Sequence, residues 1–480
     1  MKKEHKTFYR EVIKELETGT LSIFAGAGLS VDAGHVNWKK LLQEITEDLG
    51  LDYDKETDLI AIAQYNRNKI NSRSQINRKI IEEFNRGLKP TTNHAILARL
   101  PIYTYWTTNY DNLIEKSLEN VKRIPDVKHS LSQLTNQIPR RDAIVYKMHG
   151  DATLPNEAVI IKDDYERYSI DKAPFLTALN SELLSKMFLF IGFSFTDPNL
   201  DYVLSRVRIY MKEAQRHHYH FVKRLNKDDY IKDGKEADFD FDNRKQELFV
   251  NDLMRFGLQP VWVDTYTEIT DILSEIEDIY KRKTVFISGS AEDYHLWDIK
   301  EGQSFIHKLS AELIANELRI VNGFGWGVGS AVINGALSHI YENPESFSRD
   351  QLIVKPFPQF PTGGKTLEVL WAEYRNDMLS FAGIALIIFG NKKQDAASAT
   401  LIDAGGVYKE FEIAKKKNLF VIPVFATGWM AEKIYLELEA TQFGLKDNDP
   451  LLAMLKDLKI LTEQDKIIQQ VIKIIKKLNS

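Results

Sequence analysis

Leu21-Ser22-Ile23-Phe24-Ala25-Gly26-Ala27-Gly28-Leu29-Ser30 is a short apolar run that breaks on two glycines, and its reading decides the fold. A run of about five apolar residues ending in a glycine turn reads as a buried strand entering a βαβ unit. Gly26 and Gly28 would let the backbone approach a diphosphate. Exposed amides at the start of the following helix would complement its charge. Tight strand–helix turns also use glycine for steric reasons alone, so this stretch by itself leaves both readings open.

The same alternation of short apolar runs and longer patterned segments continues along all 480 residues. Strands are expected at 21–25, 103–107, 143–148, 188–192, 218–223 and 260–263. Between the first two, 38–49, 58–68 and 75–85 carry apolar residues at spacings of three and four, which reads as an inserted helical subdomain. A helix pattern with Ile269, Ile272, Leu273, Ile276 and Ile279 ends in Lys281-Arg282-Lys283, after which a second series of strands starts. These are expected at 284–288, 318–321, 351–354, 384–389 and 419–424. The expectation is an α/β protein of two Rossmann-like parallel-sheet domains, 1–282 and 283–480, the first with the helical insertion.

Composition excludes several function classes. Lys and Arg number 63 against 68 Asp and Glu, a formal charge of −5, which argues against a nucleic-acid binder. With no cysteine there is no disulfide framework, thiol nucleophile, Cys-ligated zinc or iron–sulfur cluster, and no convincing His/Asp/Glu ligand set offers a metal site. His217, His218 and His220 have metal-like spacing but fall at a strand start and lack a fourth partner. The charged start Met-Lys-Lys-Glu-His-Lys shows no secretory signal, and the longest apolar runs, 187–195 and 381–390, are shorter than the ~18 residues of a membrane span. A cytoplasmic protein without membrane contact is expected. The segment 462–478 opens with the capping-box pattern Thr462-Glu463-Gln464-Asp465 and puts Ile468, Val471, Ile475 and Leu478 on one face. It reads as a closing helix packed on its own domain, with a membrane-surface helix as the alternative.

Three later segments bear on the glycine turn. Tyr105-Trp106-Thr107-Thr108-Asn109-Tyr110-Asp111, Lys147-Met148-His149-Gly150 and Gly192-Phe193-Ser194-Phe195 each end an expected strand in polar residues or glycine. Ligands of open α/β sheets sit outside the carboxyl ends of the strands, so the four ends are candidates for one pocket. In this order, Gly-Ala-Gly-x-Ser, Thr-x-Asn-x-Asp, His-Gly and Gly-x-Ser resemble the sirtuin family. The resemblance implies an NAD pocket formed by Ala25, Gly26, Gly28, Ser30, Asp111, Gly192 and Ser194, with Asn109 and His149 as the catalytic pair. Two family features are missing: Gly34-His35-Val36-Asn37-Trp38 stands where deacetylases carry Ile-Pro-Asp-Phe-Arg, and the four-cysteine zinc module is absent.

NAD carries its own leaving group, and breaking its bond to nicotinamide passes through an oxocarbenium-like state. The protein must therefore position the dinucleotide and supply water or a base. His149 suits deprotonation of the attacking hydroxyl, Asn109 can hold the water or the ribose hydroxyls, and Asp111 can bond the carboxamide or support the positive charge. The rival readings are an NAD-dependent protein deacylase and a non-catalytic nucleotide sensor.

In the second half, Val285-Phe286-Ile287-Ser288-Gly289-Ser290-Ala291 is again strand then turn. Gly323-Phe324-Gly325-Trp326-Gly327-Val328-Gly329-Ser330 forms either a phosphate nest at a helix start or a set of close packing points. Arg375 within Trp371-Ala372-Glu373-Tyr374-Arg375-Asn376-Asp377-Met378 offers a guanidinium suited to phosphate. Lys392 follows the next strand. Glu410, after Gly405 and Gly406, is placed at a helix start where it could read a base or ribose edge. Taken alone, Arg375 and Glu410 read as solvated helix charges or an ion pair.

This half resembles the SLOG domain, and the two halves in this order resemble the Thoeris antiphage effectors. The resemblance implies that Gly289, Ser290, Gly329, Arg375, Lys392, Gly406 and Glu410 bind a cyclic ADP-ribose isomer. That isomer would be made by a TIR-domain protein with no direct contact required. Binding would release NAD hydrolysis without a metal, in a homotetramer assembled through the sirtuin-like domains.

Overall fold

The computed structural model describes residues 3–35, 38–195, 197–212, 215–395 and 398–479; Val36 and Asn37 of the stretch following the glycine turn lie outside them. The chain forms two compact units, Met1–Glu277 and Asp278–Ser480.

The first unit holds seven strands: β1 (Leu21–Ala25), β2 (Thr104–Thr107), β3 (Pro125–Lys128), β4 (Ala143–Lys147), β5 (Met187–Ile191), β6 (His218–Lys223) and β7 (Leu258–Val263). They lie in the order β3-β4-β2-β1-β5-β6-β7, every neighbouring pair parallel. All five residues of β1 and of β5 are buried, which is why β5 reads as an unbroken apolar run and β1 as one interrupted only by Ser22: helices cover both faces of the sheet. The chain leaves β1 toward β2 on one side and returns to its other side with β5, so β1 and β5 flank the topological switch point. Between β1 and β2 the helical insertion includes Leu59–Ile70 and Ser74–Phe84. Ile62, Ala63, Ile76 and Ile80 pack there with Leu42 and Ile45 against Tyr110 and Ile160.

The second unit contains β8 (Thr284–Ser290), β9 (Arg319–Asn322), β10 (Leu352–Val354), β11 (Ile384–Phe389), β12 (Asn391–Lys393), β13 (Leu401–Asp403) and β14 (Phe420–Pro423). Five of them form a parallel sheet, β10-β9-β8-β11-β14, and β12 and β13 pair as an antiparallel hairpin. Alternate residues of the central strands feed two cores. Val285, Ile287, Ile384 and Leu386 face the layer containing Phe305 and Leu309, whereas Phe286, Ala385 and Ile387 face Met378 and Phe411. Both units are thus Rossmann-like α/β sheets.

Several details depart from the pattern read along the chain. β3 has no apolar signature because its buried positions are Asp126 and Lys128, paired at 2.7 Å, with Arg141 also 2.7 Å from Asp126. The last helix is Gln464–Leu478, capped at Glu463 without a side-chain bond, so the capping box expected from Thr462 does not form. Ile467, Ile468, Val471, Ile474 and Ile475 are buried in the second unit's core, which rules out the membrane-surface alternative for this helix. Among the described residues no helix is long and apolar enough to cross a membrane.

Candidate active site

The four polar strand ends do converge. β4, β2, β1 and β5 are consecutive in the sheet, and their carboxyl ends carry His149, Asn109, the Gly26–Gly28 turn and Gly192. The three glycines are locked together. The N–H groups of Gly26 and Gly28 donate to the carbonyls of Ile191 and Gly192, both at 2.9 Å. A Cβ at Gly26 would meet the Gly192 carbonyl at 2.4 Å. At Gly192, whose φ is +65°, it would meet the amide of Leu29 at 2.2 Å. The helix that follows is a single turn, Gly28–Val31. The expected row of exposed amides at a helix start is therefore corrected: the Gly28 amide is spent on the loop after β5 and those of Leu29 and Ser30 bond the Gly26 and Ala27 carbonyls of the turn itself, and the glycines are required by loop-on-loop contact.

A hydrogen-bonded chain links the next residues. Thr107 Oγ1 donates to the Ala25 carbonyl at 2.9 Å and accepts from the Asn109 N–H at 2.9 Å. Asn109 Nδ2 donates to the Gly26 carbonyl at 3.1 Å and to Ser30 Oγ at 3.2 Å, and Ser30 in turn donates to Asp111 Oδ2 at 2.8 Å. Asp111 Oδ1 accepts from the Leu113 N–H at 3.0 Å. Among the described residues no protein donor meets Asn109 Oδ1, which leaves that acceptor for a ligand hydroxyl or water.

Beneath this chain lies a cation to which the sequence reading assigned no role. Lys147, at the end of β4, is fully buried. Its Nζ donates to the carbonyls of Tyr110 (3.2 Å) and Asp111 (2.5 Å), pairs with Glu115 at 3.2 Å and also bonds Asp151. Burial alone would lower the ammonium pKa, but Glu115 and Asp151 outweigh it and hold it above the ordinary lysine value. Burial pushes the Glu115 carboxyl up and Lys147 offsets only part of that; at Asp151 burial is outweighed by Lys147 and the carboxyl is lowered. The cluster pins the segment carrying Asn109 and Asp111.

His149 is buried two residues past Lys147, just as Asn109 lies two past Thr107, and Thr107 and Lys147 are register partners. The edges of Tyr165 and Tyr168 meet its ring at centroid distances of 5.5 and 6.2 Å. Burial drives both phenols well above their usual pKa, so they stay protonated. His149 Nε2 is 3.0 Å from Asp197 Oδ2, near enough to pair with it once the ring carries a proton, but among the described residues it makes no aligned hydrogen bond. Asp197 is the N-cap of the helix Pro198–Met211. Burial would raise its carboxyl, yet His149 and the N–H groups of Leu200 and Asn199 outweigh this and leave it below the usual range. The one signal for Asp197 was Asp-Pro ahead of a helix pattern, which reads as a cap. Ser194 lies exposed on the loop between β5 and Asp197.

Among the described residues no group of three or more His, Asp or Glu side chains is placed to hold a metal ion. His218 and His220 are buried in β6, pushed down by desolvation to pKa values of about 3 and 4, and His217 is exposed just before them. His218 Nδ1 accepts the Phe188 N–H at 3.1 Å, a sheet contact.

In the second unit β8 and β11 flank the switch point. Ser290 Oγ donates to the Asn391 carbonyl at 2.9 Å, and Asn391 Oδ1 accepts from the N–H groups of Glu292 and Asp293 at 2.8 and 3.0 Å. Asn391, which the sequence places at a strand end without a role, thus ties the Gly289-Ser290 turn to β12, on which Lys392 is exposed. The alternate glycines serve close packing: a Cβ at Gly325 would sit 2.1 Å from the Gly289 carbonyl, and at Gly327 (φ +69°) 1.9 Å from that of Ala291. Gly329 opens the helix Gly329–Glu342.

Glu410 is not at a helix start. It lies in the second turn of Gly405–Lys416, buried, accepting from Ser288 Oγ, with Arg375 Nε 3.5 Å from its other oxygen. Burial raises its carboxyl, and Ser288 and Arg375 only partly offset this. Of the readings left open for Arg375 and Glu410, the ion pair is the one formed. Arg375 Nη2 also lies 3.1 Å from where a Cβ of Gly406 would be, and its guanidinium stacks 4.9 Å from the Phe357 ring.

Comparison with known proteins places both units. Residues 103–241 match the SIR2-like domain model, and residues 268–478 match the Sir2- and TIR-associating SLOG family. The NAD(+) hydrolase ThsA of Bacillus cereus (strain MSX-D12) is 50% identical over 89% of this chain and 88% of its own length. That of Acinetobacter baumannii (strain 532279) is 44% identical over 91% and 90%. The Enterococcus faecium protein of the same name is 38% identical over 98% of both chains. The chain belongs to the ThsA NAD(+) hydrolase family, with a SIR2-like and a SLOG domain.

Proposed function

We propose that the first unit hydrolyses NAD to nicotinamide and ADP-ribose, and that the second gates this reaction by binding a cyclic ADP-ribose isomer. The observation that carries the first half is the placement of His149 and of the Asn109–Ser30–Asp111 chain at the carboxyl ends of adjacent strands. As the ribose–nicotinamide bond breaks, the oxocarbenium carbon takes a water oxygen. His149 accepts the water proton, Asn109 Oδ1 holds the water or a ribose hydroxyl, and the Asp111 carboxylate supports the developing positive charge. Ala25, Gly26, Gly28, Gly192 and Ser194 form the surface on which the dinucleotide lies.

The gating half rests on the SLOG match and on the cluster of Gly289, Ser290, Arg375, Gly406 and Glu410, with Gly329 and Lys392 on neighbouring elements. Moving a population from ~1% to ~99% active takes about 5.5 kcal/mol of differential affinity. A bidentate contact from Arg375 to phosphate, worth about 1.5–3 kcal/mol, supplies a large part of it. Such an enzyme, as a homotetramer answering a TIR-domain signal producer, would deplete cellular NAD in antiphage defence. Nicotinamide release by the His149→Ala and Asn109→Ala proteins tests the catalytic assignment: each is expected to fall about 10²–10⁴-fold. Retention of more than a tenth of wild-type turnover would overturn that residue's role.

A further inference from the structure

The two carboxylate oxygens of Asp197 have separate tasks. Oδ1 accepts from the N–H groups of Asn199 (2.9 Å) and Leu200 (3.2 Å), closing the first turn of the helix Pro198–Met211. Oδ2 takes no part in that cap and stands 3.0 Å from His149 Nε2. A helix cap needs one acceptor oxygen, and a serine or asparagine would serve it as well. The second oxygen, set beside a buried histidine, is not explained by capping.

We infer that Asp197 is a positioning residue for the hydrolytic step, fixing the His149 ring and balancing the charge that the ring gains on taking the proton of water. The inference rests on His149 being the base. Although the contact is not an aligned hydrogen bond, a carboxylate 3.0 Å from Nε2 favours hydrogen on that nitrogen through its charge and leaves the lone pair on Nδ1. The water proton then passes to Nδ1 as the water oxygen bonds the ribose carbon and nicotinamide departs with the bonding pair. Asp197 stays ionised and exchanges no proton. The other ring neighbours, Tyr165 and Tyr168, meet His149 edge-on as neutral phenols, so neither can balance an imidazolium. Because Asp197 leads directly into a helix, the cap also gives the carboxylate a fixed place from which to hold the ring.

The cap and the charge can be separated. Asp197→Asn and Asp197→Ser both keep a good N-cap and both remove the carboxylate. In the full-length protein, with cyclic ADP-ribose isomers supplied singly as activators, NAD KM and kcat are measured beside the thermal unfolding midpoint. Both variants are expected to unfold at the wild-type midpoint and keep KM within about threefold, while kcat falls about 10–100-fold. Added to His149→Ala, Asp197→Asn is expected to cause no further loss. Wild-type kcat in the Asn and Ser variants, with His149→Ala inactive, would overturn the role of Asp197 and leave the proposed reaction standing. A kcat loss that appears only with a lowered midpoint would equally overturn it, reducing Asp197 to a cap. An active His149→Ala protein would instead overturn the base assignment itself.

Discussion

The amide nitrogen of Asn109 reaches back from the end of β2 to the Gly26 carbonyl at the end of β1, 3.1 Å away, and shares its second bond with Ser30. The residue assigned to catalysis is thereby tied to the glycine turn assigned to the dinucleotide. Ser30 is the joint, accepting from Asn109 and donating to Asp111. Ser30→Ala is expected to cost about 0.5–1.5 kcal/mol of stability for each hydrogen bond lost and to lower NAD cleavage less than Asn109→Ala does. Denaturant unfolding and nicotinamide release check both parts. Wild-type turnover in Ser30→Ala would show that the chain does not orient Asn109.

Lys147→Met should be among the most damaging single changes in the first unit. It leaves Glu115 and Asp151 buried without their cation and frees the carbonyls of Tyr110 and Asp111. Removing one partner of a buried pair costs about 3–5 kcal/mol. A drop of less than about 1 kcal/mol in denaturant unfolding would contradict the clamp.

Acid should loosen the first unit through β6. His218 and His220 titrate near 6.5 when unfolded but only at about 3 and 4 when buried, so the fold holds them neutral. Their stabilising contribution is complete above pH ~6.5 and is lost as pH falls from there toward the folded values. His220 packs edge-on against Phe195 and among the described residues its Nε2 meets no partner, so His220→Phe can keep the packing and remove the titration. Its thermal midpoint is expected to fall less than wild type between pH 6.5 and 4.5; identical acid profiles would contradict this.

In the second unit, Arg375→Lys keeps a cation beside Glu410 but not the planar fork. It should retain the unfolding midpoint and lose most affinity for a cyclic ADP-ribose isomer by calorimetry. Arg375→Ala, and more mildly Glu410→Ala, should lose ligand-stimulated cleavage. Normal binding and normal activation in the Arg375 variants would remove that site from the account.

The strands were legible because burial on both faces writes itself as apolar runs: the five residues of β1 and the six of β11 have no exposed position to interrupt them. β3 was hidden by the opposite situation, a strand whose buried side chains are an acid and a base paired with each other. The catalytic candidates Asn109 and His149 stood out as polar residues just past apolar runs. Lys147 ends one of those runs, where no local pattern tells a buried clamp from a solvated strand edge, and Asp197 precedes Pro198 at a helix start, where capping alone already accounts for an aspartate. The glycine turns were visible in number but not in purpose. That Gly26, Gly28 and Gly192 close on one another depends on β1 and β5 being neighbours, which no local pattern encodes.

The most direct test is nicotinamide release from NAD by the purified full-length protein, with and without each cyclic ADP-ribose isomer, beside the His149→Ala protein. The account predicts little cleavage without ligand, strong cleavage with one isomer, no requirement for added metal, and no cleavage by His149→Ala under either condition. Cleavage that is unaffected by every isomer would contradict the gate, and cleavage that survives in His149→Ala would contradict the site.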